Sequence, residues 1–302
     1  MIKRTLYFEN PAYLSLHFGQ LVIRRTGEDG TEEKKTVPIE DIGMILLDNR
    51  QITLTQGLMA ALMANNCAVV TCGETHLPAG LMLPLYCNTV QNERFRQQID
   101  ASVPLKKQLW QQTIQAKIHN QAAVLYLTTG EAHHNMAVWE KQVKSGDTDN
   151  MEGRAAAYYW KTIFPDNPQF VRERSEDAPN SLLNYGYSIL RAILARALVG
   201  SGLLPTLGIH HHNRYDAFCL ADDLMEPYRP YVDRLVCEIL DSESGSELTR
   251  EVKVRLLSLP VMEVVINNRR SPLMLAATQT SASLVKCFSG EIRRIAYPEM
   301  TV

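Results

Sequence analysis

The spacing of apolar residues changes once along this chain of 302 residues, and that change limits the folds open to it. Before about residue 76, apolar and polar residues alternate in short runs such as Tyr13-Leu14-Ser15-Leu16-His17-Phe18, which is typical of half-buried strands. From residue 91 onward, apolar residues recur every three or four positions, which is typical of amphipathic helices. The sequence predicts an α+β protein, with a small N-terminal β domain followed by a larger all-α C-terminal domain.

The boundary between the two patterns lies where Pro78, Gly80 and Pro84 interrupt an apolar stretch. We therefore expect a β-rich domain over residues 1–76, a linker over 77–90 and a helical domain over 91–302. The helical spacing is clearest over 104–127, 133–144, 151–163, 180–200 and 222–240.

Smaller signals predict several local elements. Strands near 13–18 and 20–25, with turn residues over 26–31, indicate a hairpin with a polar tip. Thr55 is expected to cap a short helix, and Ser271-Pro272 is expected to begin a late one.

Composition excludes several classes of protein. The formal net charge is −2, so a surface for nucleic acid would have to be a local patch. The six cysteines contain no Cys-x-x-Cys pair, which favours reduced thiols over a disulfide framework. No signal-like apolar run precedes Glu9, and no uninterrupted apolar stretch is long enough to span a membrane. A cytoplasmic protein without a membrane partner is expected.

Acidic residues are concentrated between Asp222 and Glu226. Asp223 and Glu226 are three residues apart and Asp222 and Glu226 four, so either pair would share one face of a helix. Periodicity does not choose between them. Acids in the first turn of a helix are also favoured by the helix dipole alone, which is the plain structural interpretation.

Three consecutive histidines, His210, His211 and His212, follow Gly208 in a predicted loop. One hypothesis is a zinc hydrolase in which His210 and His212 point the same way from a strand. No histidine follows residue 212, and Arg214 stands where that motif has an aspartate. A single metal-binding histidine, or a polar surface loop, are the other interpretations.

Glu152 begins an alanine-rich helix that also contains Gly153. A glutamate in a first helical turn is common, but the small residues around this one would let a ligand or another helix approach closely. Carboxylates combined with an imidazole suit Mg²⁺ or Mn²⁺ acting on phosphates better than structural zinc.

Two stretches of the helical region are rich in basic residues, which is usually just a solvated face. With an acidic metal site they would also fit a track for duplex DNA. The first stretch contains Arg94, Arg96, Lys106, Lys107 and Lys117, and the second Arg250, Lys253, Arg255, Arg269, Arg270, Lys286, Arg293 and Arg294.

Four motifs, in order, resemble the CRISPR-associated integrase family of spacer acquisition, the catalytic subunit of the adaptation complex. They are Glu152 with its alanine-rich helix, Asn180-Ser181-Leu182-Leu183-Asn184-Tyr185-Gly186-Tyr187, Gly202 to His211, and Asp223-Leu224-Met225-Glu226-Pro227-Tyr228-Arg229-Pro230. The short chain and the His-His-His-Asn loop resemble the form found in type II systems.

The resemblance implies a metal-dependent DNA endonuclease and integrase that inserts short foreign-DNA fragments at a CRISPR repeat. It implies Glu152, His211, Asp223 and Glu226 as catalytic residues of the 91–302 domain, with Glu152, His211 and Glu226 binding Mg²⁺ or Mn²⁺. It further implies a homodimer bound to double-stranded DNA, a small ferredoxin-like adaptation partner and further type II CRISPR proteins. A DNA-binding scaffold whose acids are only helix caps is the alternative that is not an enzyme.

Overall fold

The protein is described by a computed structural model covering residues 3–27, 31–173, 177–242 and 247–301. Its contacts divide the chain into an N-terminal unit, Met1–Thr89, and a C-terminal unit, Val90–Val302. Within the described residues no helix is both long and apolar enough to cross a membrane.

The described residues of the N-terminal unit form two four-stranded sheets, one α-helix and a short 3₁₀ turn at Ile39–Asp41. One sheet has the order β1-β5-β7-β8 and the other β4-β3-β2-β6. Apolar side chains from both sheets and from α1, including Leu14, Ile42 and Leu58, form its core. The elements are β1 (Arg4–Phe8), β2 (Ala12–His17), β3 (Gln20–Thr26), β4 (Glu32–Pro38), β5 (Ile42–Leu47), β6 (Ile52–Leu54), α1 (Gln56–Ala64), β7 (Ala68–Cys72) and β8 (Pro78–Met82).

The hairpin of this unit differs from the prediction in where it turns. Strands β2 and β3 are joined at Phe18 and Gly19, both with positive φ, and not by the polar segment that begins at Thr26. That segment instead leads to β4. This edge strand was not predicted because its residues are mostly exposed and charged. Residues 28–30 of the expected turn lie outside the described residues.

The predicted linker is partly a strand. β8 pairs antiparallel with β7 at the edge of the first sheet. The part of the predicted linker that follows β8, residues 83–90, has no helix or strand. Pro78 is compatible with this position because an edge strand tolerates a missing backbone donor. Thr55 does cap α1, and its side chain accepts from the Leu58 amide.

The C-terminal unit is mainly helical. Its elements are α2 (Gln91–Ile99), α3 (Val103–Thr129), α4 (His134–Gln142), α5 (Met151–Thr162), α6 (Asn180–Gly200), α7 (Cys219–Met225), α8 (Arg229–Leu240), α9 (Arg250–Leu256), β9 (Glu263–Ile266), β10 (Arg269–Pro272) and α10 (Leu273–Phe288). Helix α3 packs against α4, α5 and α8, and α6 packs against α10.

The expectation of an all-α second domain is wrong in one place. Strands β9 and β10 form a hairpin through Asn267 and Asn268, which both have positive φ. Ser271 is therefore part of a strand and does not cap the next helix, which begins at Leu273. A four-residue strand is too short for its alternation to stand out from the surrounding helical pattern.

The predicted helix over 222–240 is in fact two helices. A 3₁₀ turn at Glu226–Tyr228 separates α7 from α8. Pro227 and Pro230 each lack the amide that a continuous helix would use, which explains the break. Glu226, one of the predicted site residues, is the first residue of this turn.

Candidate metal and nucleic-acid site

Glu152 lies in the first turn of α5 but is not needed to cap it. The Asp147 carboxylate accepts from the amides of Met151 and Glu152 at 2.9 and 3.0 Å, and the Asn150 side chain accepts from the Gly153 amide at 3.1 Å. The carboxylate of Glu152 points instead to Lys117, whose Nζ lies 2.7 Å from its Oε1. The helix-cap interpretation of Glu152 is therefore unsupported, because other side chains do that work.

Glu226 is buried in the 3₁₀ turn between α7 and α8, where its two oxygens contact different cations. Arg229 Nε donates to Oε1 at 2.8 Å, and Lys117 Nζ lies 2.6 Å from Oε2. Burial alone would raise the pKa of Glu226, but the charges of Arg229 and Lys117 lower it to about 2. The carboxylate therefore stays ionised throughout the physiological range.

Lys117 joins the two glutamates from the middle of α3. Its side chain is largely buried, with 11% of its surface exposed. Burial acts to lower the pKa of Lys117, but the nearby charges of Glu226 and Glu152 outweigh it and the pKa is raised. The prediction that Lys117 belongs to a DNA-binding stretch is wrong, because this side chain faces carboxylates inside the protein. Lys253, in the second stretch, is also buried.

Asp223 is fully buried and organises the loop that carries the histidines. Its Oδ2 accepts from the amides of Ile209 and His210 at 2.6 and 2.9 Å. Its Oδ1 accepts from the amide of His211 at 3.2 Å and lies 2.5 Å from the imidazole Nδ1 of His211. An ionised carboxylate only accepts hydrogen bonds, so a neutral His211 carries its proton on Nδ1 and leaves Nε2 as a ligand atom.

The environment of His211 differs from that of its neighbours. Its hydrogen bond to Asp223 raises the pKa of His211; burial opposes this, and the charges of Asp223, Glu226 and Glu152 add to the increase. His210 stacks flat on buried Trp110, with ring centroids 4.1 Å apart, and burial lowers its pKa. His212 is exposed.

The histidine loop, residues 201–218, is held from two sides. Buried Gln98 of α2 accepts from the Leu204 amide at 2.9 Å and donates to the carbonyls of Leu204 and Leu207 at 2.9 and 3.0 Å. A Cβ at Gly208 would lie 2.4 Å from the His211 carbonyl oxygen and 2.7 Å from Asp223 Oδ2. Glycine is therefore required at 208 for the loop to close on Asp223.

Asp222 and Asp223, which helical periodicity left equivalent, face different partners. Asp222 accepts from Arg191 Nε and a second guanidinium nitrogen at 2.6 and 2.7 Å, which attaches α7 to α6. Of these two side chains, that of Asp223 is the one that hydrogen-bonds His210 and His211.

No three His, Cys, Asp or Glu side chains among the described residues lie where they could hold one metal ion. Glu152 and Glu226 meet on a cation, the Lys117 ammonium, while His211 is held by Asp223. The donor chemistry still fits a divalent ion: two carboxylates share one positive charge, and an imidazole nitrogen is free of the hydrogen bond to Asp223. Glu226 Oε2 is also buried, and the Lys117 ammonium 2.6 Å away balances its charge.

Three residues that shape this site were not among the predicted site residues: Lys117, Arg229 and Gln98. A signal existed for Lys117, since it falls on the same helical face as the apolar residues Trp110, Ile114 and Ile118. A charged residue on such a face is buried and needs a partner. No comparable signal marks Gln98, whose partners are backbone groups more than a hundred residues away in sequence.

Comparison with known protein families shows to which family the chain belongs. Residues 6–254 match the family described as "CRISPR associated protein Cas1". The chain belongs to the Cas1 family. A "CRISPR-associated endonuclease Cas1" from Neisseria meningitidis serogroup C (strain 8013) is 36% identical over 285 residues, which cover 94% of this chain and 91% of that protein. The resemblance inferred from the four motifs is confirmed.

Solved structures confirm the fold. A "Casposase bound to integration product" has a TM-score of 0.77 at 20% identity and covers 98% of this chain and 92% of its own. A chain of a "Cas6-RT-Cas1--Cas2 complex" has a TM-score of 0.73 at 17% identity, and the match covers 97% of this chain and 35% of that one. The predicted order, a β-rich region followed by a mainly helical one, is shared.

The two histidines of the zinc-hydrolase hypothesis lie in different surroundings, since His210 stacks on Trp110 and His212 is exposed. This arrangement gives that hypothesis no support.

Proposed function

We propose that this protein is a divalent-metal-dependent DNA endonuclease and integrase that inserts short foreign-DNA fragments at a CRISPR repeat. The main support for this proposal is that the chain belongs to the Cas1 family and is 36% identical to a protein named as a CRISPR-associated endonuclease. The casposase with the same fold was solved with an integration product, which agrees with joining as well as cutting DNA.

The observation that carries the proposal is the arrangement of Glu152, Glu226 and His211. Two carboxylates from separate helical segments share one cation, and a third side chain presents an imidazole fixed by a buried aspartate. These residues would hold Mg²⁺ or Mn²⁺, which when bound would stabilise negative charge developing on phosphate and leaving oxygen. Asp223 acts on the site through His211 and the loop backbone.

The reaction needs no nucleophile from the protein. The 3′-hydroxyl oxygen of the incoming DNA attacks a phosphorus atom of the repeat, and the bond from that phosphorus to the repeat's own 3′ oxygen breaks. One phosphodiester replaces another, so the step is close to balanced in energy and requires no nucleotide cofactor. In this step the protein orients the phosphate and keeps Glu226 ionised. Arg229, whose Nε lies 2.8 Å from Glu226 Oε1, favours the ionised form.

We further propose that double-stranded DNA is bound by an assembly and not by one chain. The net charge of −2 provides no general attraction for phosphate, and two residues of the basic stretches, Lys117 and Lys253, are buried. A homodimer bridged by a small ferredoxin-like protein would combine the remaining basic patches. The complex of a structural neighbour with Cas2 supports such a partner, and further type II CRISPR proteins are the other candidates.

A joining assay tests the function directly. The purified chain is mixed with a labelled short duplex, a supercoiled plasmid carrying the repeat, and Mn²⁺ or Mg²⁺, with and without the small partner. Covalent transfer of label to the plasmid that requires metal is expected. Absence of transfer under every combination, with protein shown to be folded and dimeric, would count against the proposal.

A further inference from the structure

Lys117 is a charged residue in a place where a helix normally presents apolar side chains. It is close to the middle of the 27-residue helix α3, between the buried residues Ile114 and Ile118. Helix α3 packs against α4, α5 and α8, so its backbone has little freedom to shift. Movement of the ammonium therefore has to come from rotation within its own four-carbon side chain.

The two carboxylates that Lys117 contacts come from different helical segments, α5 and the turn before α8. Its Nζ lies 2.7 Å from Glu152 Oε1 and 2.6 Å from Glu226 Oε2. Two carboxylates brought this close to one point repel each other unless a positive charge lies between them. Lys117 supplies that charge.

Arg229, the other cation at Glu226, does not substitute for Lys117. Its guanidinium donates to Oε1 of Glu226 and lies over the ring of Tyr187, 4.6 Å from the centroid. It orients one carboxylate from the side, whereas the ammonium of Lys117 bridges two. Only the bridging position is one that a metal bound by Glu152 and Glu226 would also need.

We propose that Lys117 is a displaceable counter-ion of the site: its ammonium holds Glu152 and Glu226 together before metal binds, and the divalent ion must displace it. This inference rests on the proposed function, since it takes Glu152 and Glu226 as metal ligands. It makes Lys117 a positioning residue that sets metal affinity by competition. With Lys117 in place the site is folded without metal, but it binds metal more weakly than it would without the competing ammonium.

The test measures metal affinity and stability, independently of DNA joining. Lys117→Met keeps a long side chain and removes the charge, and Lys117→Gln removes the charge but keeps a polar end. Lys107→Met is the matched control, because Lys107 is exposed on the same helix. Mn²⁺ binding at pH 7.5 is followed by electron paramagnetic resonance of the free ion, and thermal unfolding is followed with Mn²⁺ and with chelator.

Both Lys117 variants are expected to bind Mn²⁺ at least about tenfold more tightly than the parent, since each loses the competing charge. They should unfold at a lower temperature in chelator and gain more from Mn²⁺ than the parent does. Lys107→Met should match the parent in both measurements. Folding of the Lys117 variants only when Mn²⁺ is added would also support displacement.

Unchanged or weaker Mn²⁺ affinity in folded Lys117→Met and Lys117→Gln overturns the proposal, as does failure of both to fold in saturating Mn²⁺. The parent, Glu152→Gln and His211→Ala, measured alongside, test the proposed function separately. If Glu152→Gln and His211→Ala both bind Mn²⁺ as tightly as the parent does, the assignment of the metal site is wrong. If they do weaken it and the Lys117 variants do not strengthen it, the role of Lys117 alone is wrong.

Discussion

Asp223 contacts His211 through both main chain and side chain: its Oδ1 lies 3.2 Å from the amide nitrogen and 2.5 Å from the imidazole Nδ1. The second oxygen accepts from the two preceding amides. One buried carboxylate thus sets the loop conformation and the imidazole orientation together. Mutations at the two residues should therefore have different effects.

His211→Ala is expected to abolish strand joining while leaving duplex binding within about threefold of the parent. The imidazole contributes to the metal site and hardly at all to phosphate neutralisation. Neutralising Arg269 and Arg270 together is the contrast, because both are exposed on β10. That variant should bind DNA more weakly and lower the slope of log affinity against log salt by about one to two. Joining by His211→Ala at the parent rate in saturating Mn²⁺ would show that the site is misassigned.

Asp223→Asn is expected to damage both stability and metal binding. The amide nitrogen of Asn would face main-chain donors that now meet a carboxylate, leaving some of them unpaired at a cost of about 1–3 kcal/mol. Loss of the Asp223 contact should also weaken Mn²⁺ binding by about 10–100-fold, because the imidazole is no longer oriented. Chemical denaturation and a Mn²⁺ titration check the two effects. Asp222→Asn should spare Mn²⁺ affinity, since Asp222 pairs with Arg191 instead.

Gly208→Ala is expected to disrupt the histidine loop through close contact. The added Cβ would lie 2.4 Å from the His211 carbonyl oxygen and 2.7 Å from Asp223 Oδ2, so the loop must move. Joining activity should fall sharply while far-UV circular dichroism stays near that of the parent. Gly57→Ala is the control: nothing lies within 4 Å of its added Cβ, and alanine in helix α1 should add up to about 1 kcal/mol. Full activity of Gly208→Ala would mean that the loop geometry is not needed.

The sequence predicted the order of the fold because periodicity is a local property. Helices α3, α5 and α6 follow the predicted stretches closely, since apolar residues recur in each at three-to-four-residue spacing. The exposed edge strand β4 and the short hairpin of β9 and β10 were missed because neither shows a pattern long enough to stand out. Pro227 was visible, but its effect on the course of the helix depends on packing around Glu226.

The residues of the candidate site were proposed from resemblance, but their contacts were not predicted. Resemblance identified Glu152, His211, Asp223 and Glu226, and the structure brings them into two groups, one on Lys117 and one around Asp223. Lys117 is 35 residues from Glu152 in sequence, and no local pattern shows that an ammonium pairs across that separation. Burial and partners of charged groups are set by tertiary structure, which is why Lys117 was placed wrongly on the surface.

The tip of the hairpin formed by β2 and β3 is expected to take part in dimerisation or partner contact. Phe18 is 91% exposed there, and its ring lies 4.1 Å from that of the neighbouring His17, measured between centroids. Phe18→Asn should lower self-association, measured by sedimentation, because asparagine tolerates the positive φ of 46° while the apolar ring is lost. Leu85→Asn, at an 89% exposed position outside the hairpin, is the control. Equal association constants for the parent and Phe18→Asn would contradict the prediction.

The titration of Asp233 is expected to stabilise the folded protein in mild acid relative to neutral pH. It is buried in α8, where Tyr159 donates to Oδ2 at 2.9 Å and Tyr187 donates to Oδ1. Burial raises its pKa from 3.8 to about 6, against the opposing effects of the two hydroxyls, Arg229 and Arg172. The folded protein therefore keeps this proton at pH values where the unfolded chain has lost it.

The contribution of Asp233 is fully present below pH 3.8 and is lost as pH rises through about 6. A shift of this size corresponds to about 3 kcal/mol. Asp233→Asn lacks the titration, so the free energy of unfolding of the parent minus that of the variant should fall by roughly this amount between pH 4 and pH 7.5. Urea denaturation across that range measures it, with Asp241→Asn, exposed beyond the end of α8, as the control. A difference that does not change with pH would show that Asp233 titrates alike in the folded and unfolded chains.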